Sequence, residues 1–125
     1  MNITIKIIPH AEQRYPTPGD WFYVGEDLEI RVSKMTDWRY EMLIADHEFH
    51  EAVLCEHAGV TQQAVDDFDK AYEANRDRDD VTAPGDDRAA PYRLQHFHAT
   101  NSERQFAAEL GVDWEEYADE IEALP

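Results

Sequence analysis

The residues best equipped for chemistry lie in one short run, His47-Glu48-Phe49-His50-Glu51. Neutral imidazole and carboxylate are both good ligands for Zn2+ and for similar divalent transition metals. On a helix His47 and Glu51 stand one turn apart, so their side-chain tips can converge on one ion. With His47 at zero and ~100° per residue, Tyr40, Leu43, Ile44, Glu51, Leu54 and Ala58 fall within roughly 60° of it. A histidine and a glutamate thus interrupt the middle of an apolar stripe. The far side of the same helix carries Trp38, Met42, Ala45, Phe49 and Ala52, which predicts a helix buried on two faces. A carboxylate buried without a partner costs several kcal/mol, so Glu51 needs a cation, a proton or hydrogen bonds.

A second segment repeats the anomaly. With His96 at zero, Tyr92, Ala99, Glu103, Phe106, Ala107 and Leu110 cluster within roughly 80° on a helical wheel. Two helices that each bury a His/Glu pair predict that the pairs face one another, and one divalent metal would satisfy both. His96 and Glu103 are two turns apart, roughly 10.5 Å along the axis, too far to share one small ion easily. One of them is therefore a ligand and the other orients a ligand or faces substrate. His96 is the favoured third ligand, with Glu103 close behind. Glu48 lies about 100° from His47, beside the stripe, where it suits a base acting on metal-bound water. The competing reading is a buried hydrogen-bonded network of His47, Glu51 and His96 without metal.

The elements that must position these residues follow from pattern. Asn2 to Ile8 alternates with period two and reads as a strand, and Pro9 to Asp20, with three prolines and a glycine, reads as loop. Trp21–Val24 and Leu28–Val32 flank a short Gly25-Glu26-Asp27 turn and read as a β-hairpin. Thr36 is the expected N-cap of a helix that runs to Ala58 and stops at Gly59. Thr61 caps a second helix that carries Ala64, Val65, Phe68 and Tyr72. A charged stretch from Asn75 to Ala90, broken by Pro84-Gly85, reads as a long, mobile acidic loop. A third helix is expected from about Pro91 to Leu110, and Asp113 caps a last one, Trp114 to Leu124. The fold class is therefore α+β, a three-stranded antiparallel or mixed sheet followed by four helices, in one domain.

Composition narrows the function classes. Twenty-eight carboxylates stand against eleven Lys and Arg, a net charge of −17. That charge repels phosphate backbones and anionic membranes, which argues against direct nucleic-acid or membrane binding. It fits a solvated acidic surface, or an acidic decoy for a nucleic-acid-binding partner. A lone cysteine, Cys55, excludes an intramolecular disulfide and a cysteine-based zinc cluster, and it reads as an inert core thiol. With no signal-peptide layout, the expected location is cytoplasmic. Among the other histidines, His50 falls on the flank of the motif helix, and His10, His57 and His98 read as incidental, dipole-facing and exposed. If its segment were extended, His98 would share a face with His96. Asp77, Asp79, Asp80, Asp86 and Asp87 are of calcium-ligand type, but their spacing does not fit an EF-hand and a solvated loop is expected.

His47-Glu48-x-x-Glu51 resembles the helix of zincin metallopeptidases, in which His-Glu-x-x-His supplies two ligands and a general base. The order of a small sheet, a motif helix and a later helix with a further ligand is also similar to small zincins. The resemblance covers about the middle half of the chain. It implies Zn2+ held by His47, Glu51 and a third ligand from the later helix, with Glu48 as base in a peptidase-like hydrolysis. Position 51 departs from the pattern, with Glu where the family has His. A carboxylate there lowers the charge of the metal and weakens its activation of water, so a metal-binding but catalytically silent zincin is the companion reading.

Overall fold

The computed structural model describes residues 1–77 and 79–125. Period-two alternation forms three strands, β1 (Ile3–Ile8), β2 (Gly19–Val24) and β3 (Asp27–Ser33). Their order is β1-β3-β2, with β1 parallel and β2 antiparallel to β3, so the sheet is mixed. The β2–β3 hairpin closes on Gly25 and Glu26 between the Val24–Asp27 pair, and Gly25 takes φ +62°, a conformation that glycine adopts without steric cost. Pairing begins at Gly19, two residues before the expected start at Trp21.

Ile3, Ile5 and Ile7 of β1 pair with Leu28, Ile30 and Val32 of β3. Paired residues share a face of the sheet, yet the β3 residues are buried while the β1 isoleucines stay exposed. Helix packing explains the difference, because α1 (Trp38–Ala58) lies over β2 and β3. The expected start of that helix shifts by one residue. Asp37 is the N-cap, its carboxylate accepting the Arg39 N–H at 2.9 Å, while the Thr36 N–H and hydroxyl bond Glu120. Asp adds a negative charge at the positive end of the helix dipole, which threonine does not.

Three further helices follow, α2 (Gln62–Ala74), α3 (Arg93–Glu109) and α4 (Trp114–Glu122). Thr61 and Asp113 cap α2 and α4 as their sequence positions predict. The chain is thus α+β, a three-stranded mixed sheet plus four helices. The α1 helix packs along α3, and this pairing brings the two His/Glu stripes together. Its second apolar face is covered only in part. Ala45 and Ala52 are buried, but Trp38 is 64% exposed and Phe49 also lies in solvent, because no element is laid over that flank among the described residues. Between α2 and α3 the chain makes a short 3-10 turn, Pro84–Asp86, whose Pro84 and Gly85 are buried against α3. Arg78, in the same connection, lies outside the described residues. Among these residues no helix is long and apolar enough to cross a membrane.

Candidate metal centre

His47, Glu51, His96 and Glu103 are all buried where α1 meets α3. Three atoms form a small triangle there. Glu51 Oε2 is 3.2 Å from His47 Nε2 and 2.9 Å from His96 Nδ1, and the two nitrogens are 3.2 Å apart. A tetrahedral ion with bonds of ~2.0–2.1 Å has ligand atoms about 3.3 Å apart, so these edges are near the right size for one ion.

Glu103 does not reach the triangle. Its Oε1 lies 2.7 Å from His47 Nδ1, the nitrogen on the far side of that ring, and the Tyr117 hydroxyl donates to its other oxygen at 2.5 Å. An ionised carboxylate can only accept, so Glu103 favours a proton on Nδ1 and leaves the Nε2 lone pair turned into the triangle. Behind His96 lies Asp86, whose Oδ1 is 3.2 Å from Nε2, at ion-pair distance. The Trp21 indole N–H donates to Glu51 Oε1 at 3.0 Å, which occupies the oxygen that faces away. One nitrogen of each imidazole and one Glu51 oxygen therefore meet at one place, while the other polar atom of each group lies against Glu103, Asp86 or Trp21. Such outer partners fix the orientation of metal-ligating histidines.

Without an ion, protons must fill the triangle. Burial works against a charged His47, but its contacts with Glu103 and Glu51 outweigh burial and hold its pKa well above the usual range. Burial pushes Glu51 up, yet its bonds to His47 and His96 win, and it is pulled down to about 2. Without an ion, a protonated His47 thus faces an ionised Glu51.

The centre opens into a cavity of about 250 Å3, walled by α1, α2, α3, α4, β2 and the Pro84–Asp86 turn. Glu48 lines it, beside the backbone of Gly19, where a Cβ would come within 2.7 Å of the Glu48 side chain. Burial and then the negative charge of Glu51 raise Glu48 well above the carboxylate range, with His47 opposing. Asp69, on the opposite wall, accepts the Tyr92 hydroxyl at 2.5 Å and is pushed up by burial to about 7.

The sequence-predicted residues thus divide. His47, Glu51 and His96 meet, Glu103 backs His47, and Glu48 faces the cavity. His50 is half-buried on the flank, with Nδ1 donating to the Asp46 carbonyl at 2.8 Å, and His98 is exposed. Cys55 is fully buried, and burial pushes it up to about 12. Tyr117 is only 1% exposed, its ring packed between Tyr40 and Trp114. Trp21, Tyr117 and Asp86 are the residues around the cluster that pattern reading missed. A signal existed for Tyr117, which shares a helical face of α4 with Trp114 and Ile121, and a buried tyrosine hydroxyl needs a partner. No such signal marks Asp86, one acidic residue among many in its loop.

No protein-family model matches the chain, and neither a curated protein nor a solved structure matches it.

Proposed function

We propose that this chain is a zincin-like metal-binding protein that holds one Zn2+, or another divalent transition metal, on His47 Nε2, Glu51 Oε2 and His96 Nδ1. The observation that supports it best is the convergence of His47 Nε2, Glu51 Oε2 and His96 Nδ1, with a carboxylate behind each imidazole. Two imidazoles and one carboxylate are a donor set that suits zinc. When bound, such an ion supplies a Lewis acid and makes water a better nucleophile. We further propose a peptidase-like hydrolysis in which Glu48, free of hydrogen-bond partners among the described residues and open to the cavity, takes and returns the proton. Trp21 keeps the ligand Glu51 in place, and Tyr117 keeps the helper Glu103 in place. A single buried cysteine suits a reducing, cytoplasmic setting.

A second reading is a non-catalytic acidic binding protein whose His/Glu cluster is a buried network. The contacts in the triangle are also of hydrogen-bond length, and Glu51 in place of histidine would weaken the ion as an acid. Elemental analysis of tag-free protein separates the two. One equivalent of Zn, Mn, Fe or Ni is expected, and its absence after growth with each metal would contradict the first reading. Glu48→Gln should keep the metal and abolish any hydrolysis found with a peptide library. Hydrolysis surviving in that variant would remove Glu48 from the reaction.

A further inference from the structure

We infer that the Pro84–Asp86 turn belongs to the metal centre, with Asp86 as the positioning residue that presents His96 through Nδ1. The inference rests on the metal-binding reading above. The two histidines face the centre with different nitrogens, Nε2 of His47 and Nδ1 of His96. Each therefore needs its own device to hold the opposite nitrogen protonated. For His47 the device is buried and doubly anchored, since Glu103 is itself fixed by Tyr117. For His96 it is Asp86, with Oδ1 at 3.2 Å from Nε2 and a side chain 58% exposed.

An exposed carboxylate would be a poor anchor if its backbone were free, but this backbone is not. The Asp86 N–H donates to the Ala83 carbonyl and the Asp87 N–H to the Pro84 carbonyl, each at 3.1 Å, which closes the turn on both sides of Gly85. Gly85 lies directly on the His96 ring. A Cβ there would fall 2.4 Å from Cγ, 2.5 Å from Nδ1 and 2.9 Å from Tyr92 Cε2. Only glycine allows that approach, because any side chain would press on the imidazole itself. Two features of one turn, a contact that requires glycine and a carboxylate at the outward nitrogen, thus act on the same ring. Loss of such an outer partner typically lowers metal affinity by about 10–100-fold.

The test is titration of the metal-free full chain with Co2+, followed by its visible absorption bands. Asp86→Ala should weaken Co2+ by about 10–100-fold and alter the bands of the complex that remains. Asp86→Asn, whose amide oxygen still accepts, should recover part of the loss. Asp79→Ala removes the same charge from an exposed position of the same loop and should stay close to wild type. The thermal midpoint of metal-free Asp86→Ala should also match wild type, since the side chain is mostly in solvent. If Asp86→Ala binds Co2+ as tightly as Asp79→Ala, the turn has no part in the centre and the inference is overturned. If wild type itself takes up no Co2+, the metal-binding reading fails first and this inference with it.

Discussion

The helices α1 and α3 each bring a buried His/Glu pair to their contact, yet the two pairs are arranged differently. On α1 the pair is spaced by four, so His47 and Glu51 reach one point together. On α3 it is spaced by seven, and the two side chains part. His96 joins the point on α1, while Glu103 passes behind His47 and bonds the nitrogen that faces away. In the proposed centre the same residue types thus become ligand or support according to spacing and to how the two helices dock. The support carries its own support in turn, Tyr117 on α4.

If that division is right, the four residues must not be equivalent to mutation. The largest effect belongs to Glu51→Gln, which removes the one negative charge inside the triangle. It should abolish tight metal binding, and in metal-free protein it should cost about 3–5 kcal/mol in a denaturant melt, as for a broken buried ion pair. A Glu51→Gln protein as stable as wild type would reduce the cluster to an ordinary polar core. Glu103→Gln comes next. It should retain the metal but bind it about 10–100-fold more weakly, and equality with Glu51→Gln would erase the distinction between the two helices. Tyr117→Phe removes the partner of a partner. It should lower stability by about 1–3 kcal/mol through the unpaired Glu103 oxygen and change metal affinity less than Glu103→Gln does.

The smallest effect lies outside both pairs and serves as a reference for them. Asp69 shares the cavity with Glu51, but its side chain accepts from a neutral hydroxyl and not from two imidazoles, so burial lifts it to about 7 where Glu51 falls to about 2. A carboxyl raised on folding contributes stability that is complete below its unfolded value of 3.8 and is lost as pH rises through about 7. Glu51 has the opposite sign, its contribution present above 4.5 and lost as pH falls through about 2. Asp69→Asn should therefore match wild type at pH 4 and exceed it by about 1–2 kcal/mol at pH 8, after allowance for screening in the open cavity. Equal stability at both values would show that this wall of the cavity is fully solvated.

Much of this was legible in the sequence because it rests on local periodicity. The caps at Thr61 and Asp113, the stop at Gly59 and the hairpin around Gly25 are each set by a few neighbouring residues. The placement of His47 and Glu51 in one apolar stripe needed only the pitch of a helix. Less local features were harder to read. Whether Trp38 and Phe49 are covered depends on which element happens to lie over them, and none does among the described residues. Trp21 reaches Glu51 from a strand 30 positions earlier, and Asp86 reaches His96 from a connection read as plain solvated loop. Contacts of that kind are decided by how elements dock, which no spacing within one element reveals. That docking, and not spacing alone, is what brings His96 rather than Glu103 to Glu51 Oε2.

The central claim is that His47 and His96 face a metal with opposite ring nitrogens. Long-range 15N–1H NMR of the imidazoles, recorded on metal-free protein and again with one equivalent of Zn2+, tests it directly. The account predicts that Zn2+ shifts Nε2 of His47 and Nδ1 of His96, each ring keeping its proton on the other nitrogen, while His50, His57 and His98 stay unchanged. A response at those three histidines instead, coordination through His47 Nδ1, or no saturating change at one equivalent would contradict it.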